Sequence, residues 1–171
     1  FRQTDVDTAN IDTWYRWDAG WNVVAEYAND AGAFWDMGDR ERGYVMRGMI
    51  PLADVAGTNP STGAYRYYAQ DHLGSTRSLF DTSKDLVSSV DYTPYGTQTV
   101  AGADAPFTFT GKPYEPETGQ YYFPYRHYAP GLARWTSRDP LGMVDGPNVY
   151  GYVGGNPVLD VDVFGMYICW K

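Results

Sequence analysis

The sequence has few of the residues that build helical bundles. Its 171 residues include seven Leu, three Ile and three Lys. Helical bundles need Leu, Ala, Glu and Lys at helical spacing, so this composition argues against that class of protein. No stretch approaches the run of about 18 apolar residues that a membrane-spanning helix requires. The sequence therefore predicts neither a helical bundle nor a membrane span.

Cysteine and positive charge are also scarce. The one cysteine, Cys169, cannot form an internal disulfide, so a small disulfide-stapled fold is excluded and the role of this thiol stays open. The formal net charge is −8 at pH 7. Nucleic acids and anionic membranes attract basic surfaces, so the acidic balance argues against both as partners.

Aromatic side chains and turn residues are abundant instead. The chain has 16 Tyr, six Trp and seven Phe, together with 19 Gly and 11 Pro. Disordered chains are depleted in aromatics, and each buried ring removes about 150–250 Å² from water. The composition predicts an all-β protein, rich in turns, whose aromatics pack its core rather than stack on sugars.

The first 63 residues show weaker patterns. Two short strands are expected on either side of the turn at residues 18–20, and a short helix is a weak prediction over residues 28–43. An apolar run extends from Tyr44 to Leu52, and residues 58–63 have the composition of a loop. The chain starts with Phe1 and without a signal peptide, so we expect a processed chain or a fragment of a longer one.

A pattern recurs from residue 64 onward at intervals of roughly 25–30 residues. An aromatic strand is followed each time by a turn of Gly, Pro or Asp, in residues 65–74, 90–96, 121–131 and 150–157. This pattern indicates stacked β-hairpins that bury their aromatic faces against their neighbours. A β-sandwich with Tyr-rich strands fits the same periodicity, and spacing alone does not separate the two architectures.

Seven short motifs in this region are more specific than the periodicity. The motifs are YYAQDHLGSTR at 67–77, DYTPYG at 91–96, FTFTGK at 107–112, ETGQYY at 117–122, YRHYAP at 125–130, RWTSRDPLG at 134–142 and NVYGYVGGNP at 148–157. In this order they closely resemble the Rhs (YD-repeat) core domain, a module of polymorphic toxins, of the C component of Tc toxin complexes and of related surface proteins. The resemblance covers residues 64–166. Residues 1–63 look like a degenerate YD-type repeat segment, and residues 167–171 form a C-terminal tail.

The resemblance implies a structural role. Members of this family wind β-hairpin repeats into a hollow spiral shell, and the core domain plugs one end of it. The shell encloses a C-terminal toxin or effector, which the core releases by cutting the chain. By this resemblance, the partners of this chain are its own upstream repeats or a C-terminal effector, and its location is extracellular or at the cell surface.

The resemblance also implies a site for self-cleavage by an aspartyl-type pair. Asp139 and Asp162 begin the two matching Asp-x-x-Gly motifs, Arg138 lies beside the first, and the cut falls between Met166 and Tyr167. Such a pair needs one ionised carboxylate to activate water and one protonated carboxyl to polarise the carbonyl, which two close carboxyls achieve by sharing a proton.

The second motif departs from the family pattern. Val163 stands where the family has Pro, Met166 stands where it has Leu, and Asp160 lies close enough in sequence to replace Asp162. The tail extends to Lys171, so we expect either an inactive site or a cut tail that stays in place. Without the resemblance, both aspartates would be read as ordinary turn residues.

No other chemistry is indicated. His72 and His127 lack metal-ligand spacing, and Ser75 lacks the frame of a hydrolase, so we predict no metal, no cofactor and no enzyme activity beyond self-processing. Two alternatives to the shell stay open. The chain could be a subunit of an extracellular fibre or tube, whose partners are identical copies joined at hairpin edges. It could also be a module that binds sugars or receptors.

Overall fold

The computed structural model describes residues 2–4, 12–28, 40–100 and 105–170, and the chain divides into two compact units. The first unit comprises Phe1–Tyr67 and Phe80–Asp85, and the second comprises Tyr68–Leu79 and Leu86–Lys171. The described residues form antiparallel strands and three short 3-10 turns, so the all-β prediction is confirmed. The domain boundaries at residues 63 and 166 stay predictions.

The first unit is built on an antiparallel meander in which each strand pairs with the next. Its last strand runs on into the second unit after Tyr67. The strands are β1 (Arg2–Thr4), β2 (Asp12–Trp17), β3 (Val23–Ala28), β4 (Arg40–Arg47), β5 (Ile50–Ala56) and β6 (Tyr65–Gln70).

The hairpin predicted around residues 18–20 is confirmed by the pairing of β2 with β3. The Asp18 carboxylate organises this turn, because its Oδ1 accepts the backbone N–H groups of Gly20 at 2.8 Å and Asn22 at 3.0 Å. An aspartate at the start of a turn mimics a backbone acceptor in this way.

The apolar run from Tyr44 to Leu52 spans two strands. The structure divides it into β4 and β5, joined by a turn in which Gly48 has a φ of +59°. Pro51 lies inside β5 opposite Met46, where the register shifts, and a bulge tolerates a residue without an N–H donor. Of the region predicted as a short helix, residues 29–39 lie outside the described residues and residues 40–43 belong to β4.

The second unit contains short strands linked by turns. The four strands β11 to β14 form an antiparallel sheet in chain order, while β9 pairs with β10 and β15 pairs with β16. The strands are β7 (Thr76–Asp81, whose last two residues belong to the first unit), β8 (Leu86–Ser89), β9 (Asp91–Tyr92), β10 (Gln98–Val100), β11 (Tyr114–Glu115), β12 (Gln120–Tyr122), β13 (His127–Ala129), β14 (Arg134–Trp135), β15 (Asp160–Val161) and β16 (Cys169–Trp170); the 3-10 turns are Phe109–Gly111, Pro130–Leu132 and Val153–Gly155.

Aromatic side chains form the core of the second unit, as the composition predicts. Neighbouring rings approach closely: the centroids of Tyr128 and Tyr152 are 4.3 Å apart, and those of Phe123 and Trp135 are 4.9 Å apart in an edge-to-face arrangement. Ring pairs of this kind add about 0.5–1.5 kcal/mol each beyond the burial of their surface. The buried members of this aromatic cluster are Phe109, Tyr121, Phe123, Tyr128, Trp135, Tyr152 and Val153.

The last of the four recurring units does not begin with a strand. Residues 150–152 form a turn with one isolated bridge, between Gly151 and Arg134, and a 3-10 turn follows. Asn148 imposes this turn, because its carbonyl accepts the Gly151 N–H at 3.0 Å and its side chain accepts the Tyr150 N–H at 3.2 Å. Tyr152 still contributes its ring to the core, so the aromatic spacing correctly indicated burial but not strand geometry.

We expect Gly96→Ala to destabilise the protein more than Gly155→Ala does. Both glycines have positive φ, +85° and +86°, so the backbone strain of an alanine is matched. A Cβ at Gly96 would lie 2.6 Å from the ring of the buried Phe109, whereas one at Gly155 would meet nothing within 4 Å. Overpacking of this kind costs about 1–3 kcal/mol. Urea unfolding followed by circular dichroism measures the difference, and equal losses of stability would contradict it.

Candidate functional site: a carboxylate pair joined by an arginine

Asp139 opens a tight Asp-x-x-Gly turn shortly after β14. Its Oδ1 accepts the Leu141 N–H at 2.8 Å, and its carbonyl accepts the Gly142 N–H at 3.1 Å. Gly142 closes the turn with a φ of +78°, a conformation that favours glycine. The other carboxylate oxygen, Oδ2, is left to face the interior of the unit.

Asp162 opens the second Asp-x-x-Gly motif directly after β15, and here the carboxylate closes the turn. Its Oδ1 accepts three backbone N–H groups, from Phe164 at 3.1 Å, Gly165 at 2.7 Å and Met166 at 3.1 Å. Gly165 has a φ of +81°, close to that of Gly142 in the first turn. The valine at position 163 therefore does not prevent the second motif from forming its turn.

Arg126 joins the two turns. Its Nη2 lies 2.8 Å from Asp139 Oδ2 and 3.2 Å from Asp162 Oδ2. The three side chains are nearly removed from solvent, with exposed fractions of 2% for Arg126, 6% for Asp139 and 2% for Asp162. Two aspartates that are 23 residues apart in the sequence thus share one buried guanidinium group.

The guanidinium is fixed by further contacts. Its Nε donates to the Gly165 carbonyl at 2.5 Å and its Nη1 donates to the Val149 carbonyl at 3.4 Å. Its plane lies over the Trp135 ring, 4.3 Å from the centroid, where the ring face attracts the cation. Trp135 belongs to the aromatic cluster, so the core of the unit positions the arginine.

The other residues considered from the sequence lie elsewhere. Arg138, the arginine that the sequence places beside Asp139, is exposed, while Arg126 contacts both carboxylates. Asp160 accepts a hydrogen bond from the Asn156 amide at 2.9 Å, so Asp162 rather than Asp160 faces Arg126. Sequence reasoning missed Arg126, although it lies in the YRHYAP motif at residues 125–130. The catalytic roles of Asp139, Asp162 and Arg138 stay predictions.

Burial dominates the electrostatics of Asp162. Removal from water raises the pKa of this carboxyl, and the three backbone N–H groups and the Arg126 cation oppose that rise. A raised pKa favours the protonated form that an aspartyl-type acid requires.

Lys112 brings a second buried cation to this part of the unit. Burial lowers the pKa of its ammonium to about 7, while the negative charge of Asp162 acts in the opposite direction. Its Nζ lies 5.3 Å from the ring centroid of Phe123. Phe123 packs edge-to-face with Trp135, the ring that Arg126 covers. Lys112 and Arg126 together can balance the charge of both carboxylates.

The predicted cleavage point lies beside the pair. Met166 and Tyr167 are in the loop that links β15 to β16, and the Met166 N–H is one of the three donors to Asp162. The Asp162 carboxyl is thus held within hydrogen-bonding reach of the residue that precedes the predicted cut.

Neither a cluster of metal ligands nor a membrane-spanning helix occurs in the part of the chain that the structure describes. There, no group of three or more His, Cys, Asp or Glu side chains is placed to hold a metal ion. The imidazole of His72 lies 2.7 Å from the Val158 carbonyl, and that of His127 lies 3.6 Å from Glu115. Over the same described ranges, no helix is long and apolar enough to cross a membrane.

Comparison with known proteins finds toxin components among the sequences similar to this chain. No protein-family model matches the sequence. A toxin subunit, YenC1 of Yersinia entomophaga, is 32% identical over 116 residues, which cover 64% of this chain. Double-stranded DNA deaminase toxin A of Burkholderia cenocepacia is 30% identical over 107 residues, which cover 58% of this chain. The matched segment is a small part of each relative, 12% of the first and 7% of the second.

Solved structures match the fold. A complex of TcdB2, TccC3 and Cdc42 superimposes with a TM-score of 0.67, and one of TcdB2–TccC3 without its hypervariable C-terminal region does so with a TM-score of 0.62. Each match is 22% identical and covers 96% of this chain and 9% of the solved chain. The homologues of this chain are Rhs-type toxins and Tc toxin subunits, and the resemblance inferred from its motifs is confirmed.

We expect the free energy of unfolding to rise from pH 7 to pH 10 because of Lys112. The folded state holds this amine at a pKa of about 7, against 10.5 in the unfolded state, so the unfolded chain binds the extra proton across this window. Each pH unit is worth up to about 1.4 kcal/mol. Urea titrations at several pH values should show the rise in the parent protein and a flatter profile in Lys112→Met.

The matched control is Lys84→Met, because Lys84 is exposed in a turn. This variant should keep the parent slope. The measurements should stop at pH 10. Above this pH, tyrosines ionise more readily in the unfolded chain than in the folded one, because burial raises the pKa of residues such as Tyr121 to about 12, and this ionisation favours unfolding. Parallel profiles for the parent protein and Lys112→Met would contradict the prediction.

Proposed function

We propose that this chain is the core, or plug, of an Rhs-type shell that encloses a C-terminal effector, and that it cuts itself after Met166. The observation that carries the proposal is the buried cluster in which Arg126 joins Asp139 to Asp162. Its partners are then its own upstream repeats and the effector, and its place of action is outside the producing cell.

The names of the relatives support a scaffold role. A toxin subunit and a DNA deaminase toxin share this segment, although their names describe different roles. The simpler explanation of a segment common to both is that it is a shared carrier and not the source of the deaminase activity. TccC3 is described as having a hypervariable C-terminal region, which fits a constant carrier followed by a variable cargo.

The cluster supports a hydrolytic step. An ionised Asp139 takes a proton from water, and the water oxygen attacks the Met166 carbonyl carbon while a protonated Asp162 donates to the carbonyl oxygen. As the tetrahedral intermediate breaks its C–N bond, the Tyr167 nitrogen takes the proton that Asp139 removed from water, and a hydroxyl of the intermediate returns a proton to Asp162. The products are a Met166 carboxylate and a Tyr167 amine, and water is the only co-reactant.

The roles of the two carboxyls follow from their surroundings. Burial raises the pKa of Asp162, which makes it the proton donor. Asp139 makes the shorter contact with the Arg126 cation, 2.8 Å against 3.2 Å, and we assign it the role of the base. Arg126 is then a positioning residue that keeps the two carboxyls together.

We expect Asp139→Asn and Asp162→Asn each to abolish cleavage, because an amide can neither accept the proton of water nor donate as a carboxylic acid does. Denaturing mass spectrometry of the purified chain should find the parent protein ending at Met166 and both variants intact. Asp71→Asn is the matched control. Asp71 opens a similar turn. Its carboxylate accepts the Leu73 N–H at 2.9 Å, and its backbone carbonyl accepts the Gly74 N–H at 3.1 Å.

The control should leave cleavage unchanged, because Asp71 is not part of the carboxylate pair. Unchanged cleavage would show that the loss of any Asp-x-x-Gly turn is not enough to stop the reaction. A parent chain that stays intact over days at pH 5–8 would overturn the self-cleavage part of the proposal. The fibre alternative makes a separate prediction, since end-to-end assembly would appear as polymers in size-exclusion chromatography.

A further inference from the structure

Two buried hydroxyl groups of the second unit lack ordinary hydrogen-bond partners. They belong to Thr110 and Tyr152, which are 7% and 1% exposed. Neither Thr110 Oγ1 nor Tyr152 Oη makes a hydrogen bond to another group in the described part of the chain. Burying a hydroxyl without a partner is costly, so nearly all buried polar groups pair with protein or with ordered water. These two oxygens therefore call for a partner beyond the described protein groups.

The two hydroxyls are neighbours. Burial raises the pKa of the Tyr152 phenol well above its ordinary value, and the nearby Thr110 hydroxyl acts in the opposite direction. The two oxygens are thus close enough to interact, yet they do not meet at the geometry of a direct hydrogen bond. Two polar groups held apart in this way are the usual setting of a bridging water, which needs two to four polar partners.

The backbone of Thr110 is strained where it carries its hydroxyl into the interior. Its φ is +49°, a left-handed conformation that a β-branched residue rarely adopts. Two contacts hold this turn, because Ser75 Oγ accepts the Thr110 N–H at 3.0 Å and the Thr108 carbonyl accepts the Gly111 N–H at 3.1 Å. Strain of this kind persists only where the surrounding structure imposes it, and it is concentrated at functional sites.

Tyr152 connects the two hydroxyls to the carboxylate pair. After burial and Tyr128, the charge of Asp162 is a further cause that raises the pKa of the Tyr152 phenol. The Tyr152 ring also packs against Trp135, with centroids 5.5 Å apart, and Trp135 is the ring that Arg126 covers. Because the pair is nearly closed to solvent, hydrolysis there favours a source of water inside the same core.

We propose that Thr110 and Tyr152 form a buried hydration site, in which one water molecule bridges Thr110 Oγ1 and Tyr152 Oη, and that this site supplies water to the carboxylate pair. The supply of water rests on the proposed function, but the hydration site does not. Each hydroxyl can both donate and accept, so the water can bond to both. The site thus gives the two oxygens their partner and keeps the co-reactant of the hydrolysis within the core.

Magnetic relaxation dispersion of water oxygen-17 counts the long-lived internal waters of a protein, and it tests the hydration site directly. We expect the double variant Thr110→Val/Tyr152→Phe to lose one such water, because it removes both hydroxyls and nearly keeps the shapes of the side chains. Tyr67→Phe is the matched control, since Tyr67 is 48% exposed, and it should keep the parent count. Equal counts in the parent protein and the double variant would overturn the proposal.

The stability of Tyr152→Phe gives a second result whose sign decides. A bridging water loses a partner in this variant, so the midpoint of urea unfolding should fall. If the hydroxyl were simply unpaired, its removal would relieve the cost of burying it, and the midpoint would rise. A raised midpoint would therefore contradict the hydration site.

The rate of cleavage tests the supply of water. The masses of the intact and the cut chain can be followed after cell-free synthesis, and the double variant should cut at least about tenfold more slowly, the effect of losing one ordinary hydrogen bond. An unchanged rate in a variant that has lost the water would overturn the supply. If the parent chain does not cut itself, the proposed function fails, while the count of internal waters still decides the hydration site.

Discussion

The geometry of the second unit depends on the contact of one guanidinium group with two buried carboxylates. Charges removed from water cost several kcal/mol each unless they are paired and hydrogen-bonded, and the partners of Arg126 meet both conditions. The arginine can lie there because Trp135 supports its plane, and Trp135 is held by Phe123 and Tyr128. The many aromatic residues of the sequence thus form the core that buries and supports this charged site.

The same burial sets the charge balance of the region. Two carboxylates and one guanidinium would leave an excess negative charge, which a low-dielectric interior opposes. Lys112 can offset it only while protonated, and the lysine is itself buried enough to lose its proton near neutral pH. Its amine and the Asp162 carboxyl therefore compete for a proton, so the protonation state of the pair follows from the packing around it.

The sequence was sufficient to single out the two aspartates, but only through the family resemblance, because local chemistry alone marks each of them as an ordinary turn residue. It could not identify Arg126. Adjacency to Asp139 favoured Arg138, but the side chain of Arg138 points to solvent, and only the pairing of β12 to β14 brings residue 126 to residue 139. Apolar content likewise predicted burial more reliably than the path of the backbone. It indicated that Tyr152 is buried, yet it missed the turn at Gly48 that separates β4 from β5.

The Asp162 carboxyl serves two purposes, and its two oxygens divide them. Oδ1 accepts three backbone N–H groups that close the loop before Met166, so a proton placed there would compete with the donors that define the loop. Oδ2 faces Arg126 at 3.2 Å, a longer contact than the 2.8 Å from the same nitrogen to Asp139. A proton on Asp162 is therefore best placed on Oδ2, where it leaves the loop intact. The turn that shapes the loop and the acid that the proposed hydrolysis needs are thus compatible in one side chain, because the structure uses a different oxygen for each.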